Sequence, residues 1–350
     1  MSAVKRRARP TLAVVAREAG VSIGTASNIL GSKAALHSSE TVERVLRVAR
    51  QLGYRPNRIA RSLAARRSQT IGIIMEPPHA LFTRNEYATA VLDGVVDCFT
   101  PHGYHIKIIT LRDMNPRTLW AQIDDGTIDG AILIAPLIDS PLLSWHEHTA
   151  LPCVVVGSAL PESLGFYCVD SDSVGMITEV VNWLVDLGHR RIGFVQGPAE
   201  QWSARQREYA FRQAMAARGI EVRPEWLACG FYTQEGGRRA AEQLLQVYPP
   251  LTALIVSNDP MALGVLEVCR QRGVRVPEQL SVVGFDDIPL AALANPPLTT
   301  VRNPIHEIGY HAAQALLEQI TSGEVKRGNC LLRGELVIRQ SAAPPPLRTG

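Results

Sequence analysis

The chain has 350 residues, 46% of them hydrophobic and 20% charged, with a formal net charge of only +3. That length allows two or three domains, and no apolar run is long enough for a helical bilayer span. The charge is unevenly placed: residues 1–68 hold 14 Lys+Arg and 3 Asp+Glu (net +11), and the remainder holds 22 and 30 (net −8). A basic small segment on an acidic body is the electrostatic footprint of a nucleic-acid binder.

The first residues include Lys5, Arg6, Arg7 and Arg9 but no following apolar core, so they do not read as a signal peptide, and a cytoplasmic protein is expected. A basic arm of this kind adds phosphate affinity without sequence specificity. Thr11 to Ala19 then repeats Leu12, Val15, Ala16 and Ala19 at helical spacing. Gly20 suits the helix stop, and the Ser22 hydroxyl suits the cap of a second helix. The second helix turns Ala26, Ile29 and Leu30 inward and leaves Ile23, Gly24, Thr25, Ser27 and Asn28 outward. Two short helices about a tight turn suit entry into a DNA major groove, although the same pattern also fits a helical hairpin in a core. A third helix, Glu40 to Leu52, is expected to bury Val42, Val45, Leu46 and Ala49.

From Thr70 the texture changes to short apolar runs alternating with helical segments. Strands are expected at 71–75, 105–110, 130–134, 153–156, 192–195, 252–256 and 281–285. Helices are expected at 86–100, 115–125, 172–187, 204–219 and 261–272, with a helix or turn at 141–148. Alternation of this kind implies doubly wound α/β units.

The run TLAVVAREAGVSIGTASNIL, followed by SSETVERVLRVARQLGYRPNRIARSLAARRSQTIGIIM, resembles the headpiece of the lactose-repressor/galactose-repressor (LacI/GalR) family of bacterial transcription regulators. Further resemblances follow in the family's order: LGHRRIGFVQGP, SNDPMALGVL, RVPEQLSVVGFDDI, NPPLTTVRNPIHEIG and ELVIRQSA. The resemblance implies an all-α helix-turn-helix headpiece plus hinge helix, then a two-lobed α/β effector domain like a periplasmic binding protein. It places the headpiece at 1–56, the hinge and linker at 57–69 and the effector domain at 70–342, before a Pro-rich tail at 343–350. Lobe 1 is expected at about 70–169 plus 300–330, and lobe 2 at about 170–299 plus 331–342. The chain would cross between lobes near Val169–Asp170, Thr299–Asn303 and Gly328–Leu332.

The resemblance further implies a homodimer on pseudo-palindromic operator DNA. Ile23, Gly24 and Asn28 stand at base-reading positions and depart from the residues the family commonly carries there. Asn bonds adenine edges, and Ile23 suits a thymine methyl. Ser22, Thr25 and Ser27 suit phosphates. Asn57, Ala60 and Leu63 fall in the hinge, with Leu63 at the position of a minor-groove wedge. A small-molecule effector, most commonly a carbohydrate in this family and elsewhere a purine or nucleoside, would sit between the lobes against Ser203, Arg207, Asn258 and Asp286. Asn258, Asp259 and Asp287 also suit plain helix capping. Tyr87, Phe82, Phe166 and Trp202 are candidates for stacking on a sugar face or for the core.

The six cysteines, at 98, 153, 168, 229, 269 and 330, lack the paired spacing of a zinc site or disulfide framework. No metal or cofactor is expected. The chain shows no phosphate-binding Gly-rich loop and no Gly-x-Ser-x-Gly elbow, so an enzyme is not indicated. A solute-binding protein fits Thr70 onward but not the headpiece.

Overall fold

Local capping sets the first three helices: α1 (Leu12–Glu18), α2 (Ile23–Leu30) and α3 (Ser39–Gln51). Gly20, at φ +65°, takes the left-handed turn after α1. Ser22 Oγ accepts from Thr25 N at 3.0 Å, and Ser38 Oγ accepts from Thr41 N at 3.4 Å, so both following helices start on a serine cap. Val15, Ala16, Ala19, Ala26, Ile29, Val45 and Ala49 form one small core. Leu46 is not in it: the side chain is 38% exposed, and Val48 packs instead. The buried stripe of α3 runs through Val42, Val45 and Val48–Ala49, and Leu46 lies one residue, about 100°, off it.

The computed structural model describes residues 10–31, 34–55, 67–77, 85–111 and 113–346. The chain divides into two units, Met1–Ser68 and Gln69–Gly350. The second unit contains two six-stranded sheets. The first comprises β1 (Thr70–Ile74), β2 (His105–Ile109), β3 (Gly130–Ile134), β4 (Cys153–Val156), β5 (Tyr167–Ser171) and β11 (Gly328–Leu332), in the order β11-β5-β4-β3-β1-β2. The second comprises β6 (Ile192–Gln196), β7 (Leu227–Cys229), β8 (Ala253–Val256), β9 (Ser281–Asp286), β10 (Thr299–Arg302) and β12 (Glu335–Val337), in the order β12-β10-β9-β8-β6-β7. The pairings are parallel except β10 with β12.

Both faces of the central strands β1, β3 and β4 are covered, so these are largely apolar, while the edge strands β2 and β11 keep exposed positions. Ile71, Ile73, Ile132, Ile134, Val154 and Val156 face α4 (Glu86–Phe99) and α12 (Ile305–Ser322). Alternate residues Ala131, Leu133, Cys153 and Val155 face α5 (Pro116–Ile123) and α6 (Trp145–His148). Helices α4 and α12 meet at paired glycines. A Cβ on Gly94 would lie 2.0 Å from His306 O, and one on Gly309 would lie 2.2 Å from Val91 O. The second sheet is flanked by α7 (Ser173–Asp186), α8 (Trp202–Ala217), α9 (Gln234–Leu244) and α10 (Asp259–Gln271), with α11 (Pro289–Leu293) after β9.

The chain passes between the sheets after β5, after β10 and after β11. Asp172 N donates to Leu332 O at 2.8 Å, which ties the first passage to the third. The middle passage lies at Asn303–Pro304, later than the expected start of lobe 1 at 300. The cause is β10, which must finish its parallel pairing with β9 (Thr300 opposite Gly284) before the chain can leave. The Pro-rich end is a strap on the second sheet. Ser341 is fully buried and donates to Val282 O, and Ala343 O accepts from His189 Nε2 (2.9 Å) and Ser281 Oγ (3.0 Å). Among the described residues no helix is long and apolar enough to cross a membrane.

Candidate functional site

The outer face of α2 carries small groups. Ile23 is 56% exposed, Gly24 and Ser27 are exposed, and Thr25 and Asn28 are half-buried. Ser22 and Thr25 hydroxyls also bond each other at 2.9 Å, so part of their capacity is spent within the turn. Positive charge comes from neighbouring elements: Arg44 anchors on Ala19 O at 3.1 Å, and Arg47 and Arg50 stand exposed on α3. Asn57, Ala60 and Leu63 lie outside the described residues.

A cavity of about 500 Å³ opens beyond the carboxyl ends of the strands of both sheets, where open α/β sheets bind ligands. The first sheet contributes Glu76 after β1, Glu86 and Tyr87 from the start of α4, and Asp170 from β5. The second contributes Ser203 and Arg207 from α8, Phe231 and Tyr232 after β7, Asn258 before α10, and Asp286 ending β9. The fold therefore gathers Ser203, Arg207, Asn258 and Asp286, four positions 83 residues apart at the extremes, into one lining.

Arg207 is 6% exposed and rigidly held. Its Nε donates to Ser173 Oγ at 3.2 Å, its Nη1 donates to Ser257 O, and its guanidinium lies 3.8 Å from the Phe285 ring centroid. Asp286 sits in a strained turn: it has φ +119° and Asp287 has φ +59°. Consecutive non-glycine residues in this region are unfavourable and persist only where surrounding bonds impose them. Here Asp287 accepts from Arg302 Nε at 2.8 Å and Arg339 Nη2 at 2.6 Å, and the next amide, Ile288 N, donates to Asp259 Oδ2 at 2.9 Å. The strain turns the Asp286 carboxyl into the cavity, with Oδ1 accepting from Asn303 Nδ2 at 3.0 Å.

The electrostatics are dominated by desolvation. Burial pushes Asp286 up to about 7, with Arg207 pulling down and Asp259 pushing up. Burial pushes Asp170 up to about 6 against the bond from Ser171 N. Asp170 is 3% exposed, and its Oδ2 has no partner among the described residues. Glu76 is raised by burial although its carboxylate accepts from Leu137 N at 3.1 Å. Glu86, at the exposed start of α4, is raised by the same cause. Tyr87 Oη is buried without a hydrogen-bond partner among the described residues.

Asn258 serves the scaffold as well as the lining. Its Oδ1 caps α10 through Met261 N at 3.0 Å, and its Nδ2 donates to Tyr232 O at 3.1 Å. Asp259 is buried: Oδ1 accepts from the Thr300 hydroxyl at 2.6 Å and Oδ2 from Ile288 N, so it braces β10 and the turn after β9. Of the aromatic candidates, Tyr87 lines the cavity, Phe166 is buried beside His146 in the first sheet's core, and Trp202 packs at the edge of that core. Phe82 lies outside the described residues. The cavity aromatics missed from the sequence are Phe231 and Tyr232; their left-handed backbones (φ +53° and +58°) follow the short strand β7, which was not expected either.

Residues 11–57 match the family model described as bacterial regulatory proteins, lacI family, and residues 181–342 match the periplasmic binding protein-like domain. The chain is 34% identical to the HTH-type transcriptional regulator CelR of Thermobifida fusca, over 97% of this chain and 100% of that one. The chain belongs to the LacI family. This LacI-family chain is also 33% identical to the HTH-type transcriptional repressor CytR of Escherichia coli, over 99% of it and 100% of CytR. Among solved structures it matches a CelR–cellobiose complex (30% identity, TM-score 0.74, 95% of this chain and 100% of that chain). It also matches the lac repressor dimer bound to operator and the anti-inducer ONPF (26%, TM-score 0.84, 96% and 100%). It is a DNA-binding transcription regulator controlled by an effector.

Proposed function

We propose that this regulator is a cytoplasmic homodimeric repressor whose cleft takes a neutral carbohydrate. The observation that carries this reading is the lining of the cavity: Arg207 stands among the carboxyl groups of Asp170, Asp286 and Glu86, with Tyr87, Phe231 and Tyr232 around them. Carboxyl groups hydrogen-bond to hydroxyls, the guanidinium fork donates to hydroxyl oxygens, and aromatic faces suit the C–H face of a sugar ring. With Glu76, the lining holds four carboxyl groups against one guanidinium among the described residues, which disfavours phosphorylated ligands. Two headpieces would read a pseudo-palindromic operator through Ile23, Gly24 and Asn28, with Ser22, Thr25 and Ser27 on phosphates and Asn57, Ala60 and Leu63 at its centre.

The test is a thermal-shift screen of the full chain against cellobiose, other neutral sugars, sugar phosphates, nucleosides and purines. Ligands that bind the native state raise Tm by mass action. A neutral-sugar hit that disappears in Arg207→Ala supports the reading. A sugar-phosphate hit overturns it, and a nucleoside or purine hit replaces carbohydrate by a base stacked on Phe231 or Tyr232. Operator release or retention, followed by gel shift with that sugar, then tells whether it induces or corepresses.

A further inference from the structure

The described lining of the cavity holds four carboxyl groups and a single guanidinium, which is anchored to the protein through Nε and Nη1. Arg207 spends Nε on Ser173, Nη1 on Ser257 O and its face on Phe285, and it makes no ion pair among the described residues. Among the described residues Asp286 therefore stands in a carboxyl-rich enclosure without an ion pair, with Arg207 near enough to pull its pKa down. From α8 it faces Arg207, from α10 Asp259, from α4 Glu86 and Tyr87, from β5 Asp170, and from the loop after β7 Tyr232. Its neighbour Asp287 absorbs Arg302 and Arg339. On the outer side, a second cavity of about 850 Å³ adds Asp93, His306, Glu307, Arg333 and Glu335 around the same turn. Arg333 in turn pairs with Glu179 at 2.9 Å, and His306 with Asp97 at 2.9 Å.

The hydrogen bonds define what the two carboxyl oxygens can do. Oδ1 accepts from Asn303 Nδ2, while Oδ2 meets no protein donor among the described residues. A neutral ligand closing this space would remove water from Oδ2 without bringing a charge to replace it. A carboxyl group so placed takes a proton rather than remain an uncompensated anion.

We propose that Asp286 recognises the effector as the neutral acid, donating its proton from Oδ2 to an acceptor oxygen of the ligand, so that effector binding takes up a proton. This rests on the reading that a neutral ligand fills the cleft. Its consequence is that the regulator senses pH through effector affinity. The proton of Asp286, already held up to about 7 by burial, is available near neutrality. The sign follows: the bound form holds the proton more tightly than the free form. Affinity is therefore flat at acidic pH and falls as pH rises above about 7, approaching tenfold per unit while the free protein is ionised and the complex is not.

The experiment has two arms on the full chain. The first needs no ligand. Carbon-13 NMR of γ-carboxyl-labelled aspartate follows the resonance that disappears in Asp286→Asn; a midpoint near neutrality supports the proposal, and one in the ordinary aspartate range overturns it. The second uses calorimetry with cellobiose in buffers of different ionisation enthalpy. Uptake of about half a proton per cellobiose at pH 7, rising toward about one as pH climbs a unit above that, is expected. Asp286→Asn keeps an acceptor for Asn303 and offers an N–H where the acid offered its O–H. It is expected to bind cellobiose about as tightly as the wild type does at low pH, with no pH dependence. Affinity that tightens as pH rises, or loss of binding in Asp286→Asn at every pH, shows a carboxylate acceptor and refutes the proposal. If cellobiose and every other neutral sugar fail to bind, the carbohydrate reading fails together with the ligand half of the proposal. The NMR arm still decides whether Asp286 holds its proton.

Discussion

Gly94→Ala tests how closely α4 and α12 must pack for the cavity to keep its shape. The added methyl would lie 2.0 Å from His306 O and 2.7 Å from Tyr310 N, against 3.4 Å for an ordinary contact. The obstacle is helix backbone, so no side chain can rotate away, and the helices must part by about 1 Å or more. Val91, Val95, Ile308 and Ala312 are fully buried along this crossing and would loosen with it. Overpacking of this kind costs about 1–3 kcal/mol, and a backbone obstacle belongs at the upper end. For a unit of this size that lowers Tm by roughly 3–5 °C. The same displacement moves Glu86 and Tyr87, which α4 presents to the cavity, so ligand affinity falls as well. Thermal melts of the full chain by circular dichroism, with Val96→Ala on the exposed face of α4 as control, measure the effect. A Gly94→Ala midpoint equal to that of Val96→Ala would refute the close-packing argument.

Three further outcomes follow from bonds and shifts already described. The folded-state value of Asp286, about 7, exceeds its ordinary 3.8, so its contribution to stability is fully present at acidic pH and is lost as pH rises toward 7. Asp286→Asn should then be more stable than wild type at pH 8 by up to about 4 kcal/mol and show no such gain near pH 4; urea midpoints that move together at both pH values would contradict this. Ser22→Ala removes the cap on Thr25 N and should cost α2 about 1 kcal/mol, read as faster amide exchange in Ile23–Leu30; unchanged exchange would count against the cap. Asp287→Ala leaves Arg339 without its carboxylate and frees the left-handed turn. A loss of about 3 kcal/mol is expected, with weakened ligand binding, and an unaltered Kd would show that the turn does not aim Asp286.

What could be read in advance was what local chemistry decides. Ser22, Gly20 and the stripe of Val15, Ala16 and Ala19 define the headpiece within a few residues of themselves. Leu46 was misplaced because one residue of phase separates the edge of a helical stripe from solvent. Arg207 and Asp286 were reached through resemblance, but their environment was not, because it depends on long-range pairing. Asp170 read only as a passage between lobes; its burial follows from β5 lying between β4 and β11, a strand about 160 residues later. Strand β7 and helix α9 escaped notice because the strand has three residues and the helix is largely polar. Phe231 and Tyr232, which lie between them, stayed hidden for the same reason.

The three passages between the sheets also set an order of assembly during synthesis. The first sheet begins with β1, yet its edge strand β11 and its covering helix α12 span 305–332. Until those residues leave the ribosome, the face made by Ile71, Ile132 and Val154 lacks half its cover. Strands β6 to β10 are contiguous by comparison and lack only β12 and the strap. The lobe translated later is therefore the one able to fold earlier, reversing the usual amino-to-carboxyl order. A nascent chain in which residue 304 has just cleared the ribosome would carry a protease-resistant second sheet behind a first lobe still open to cleavage.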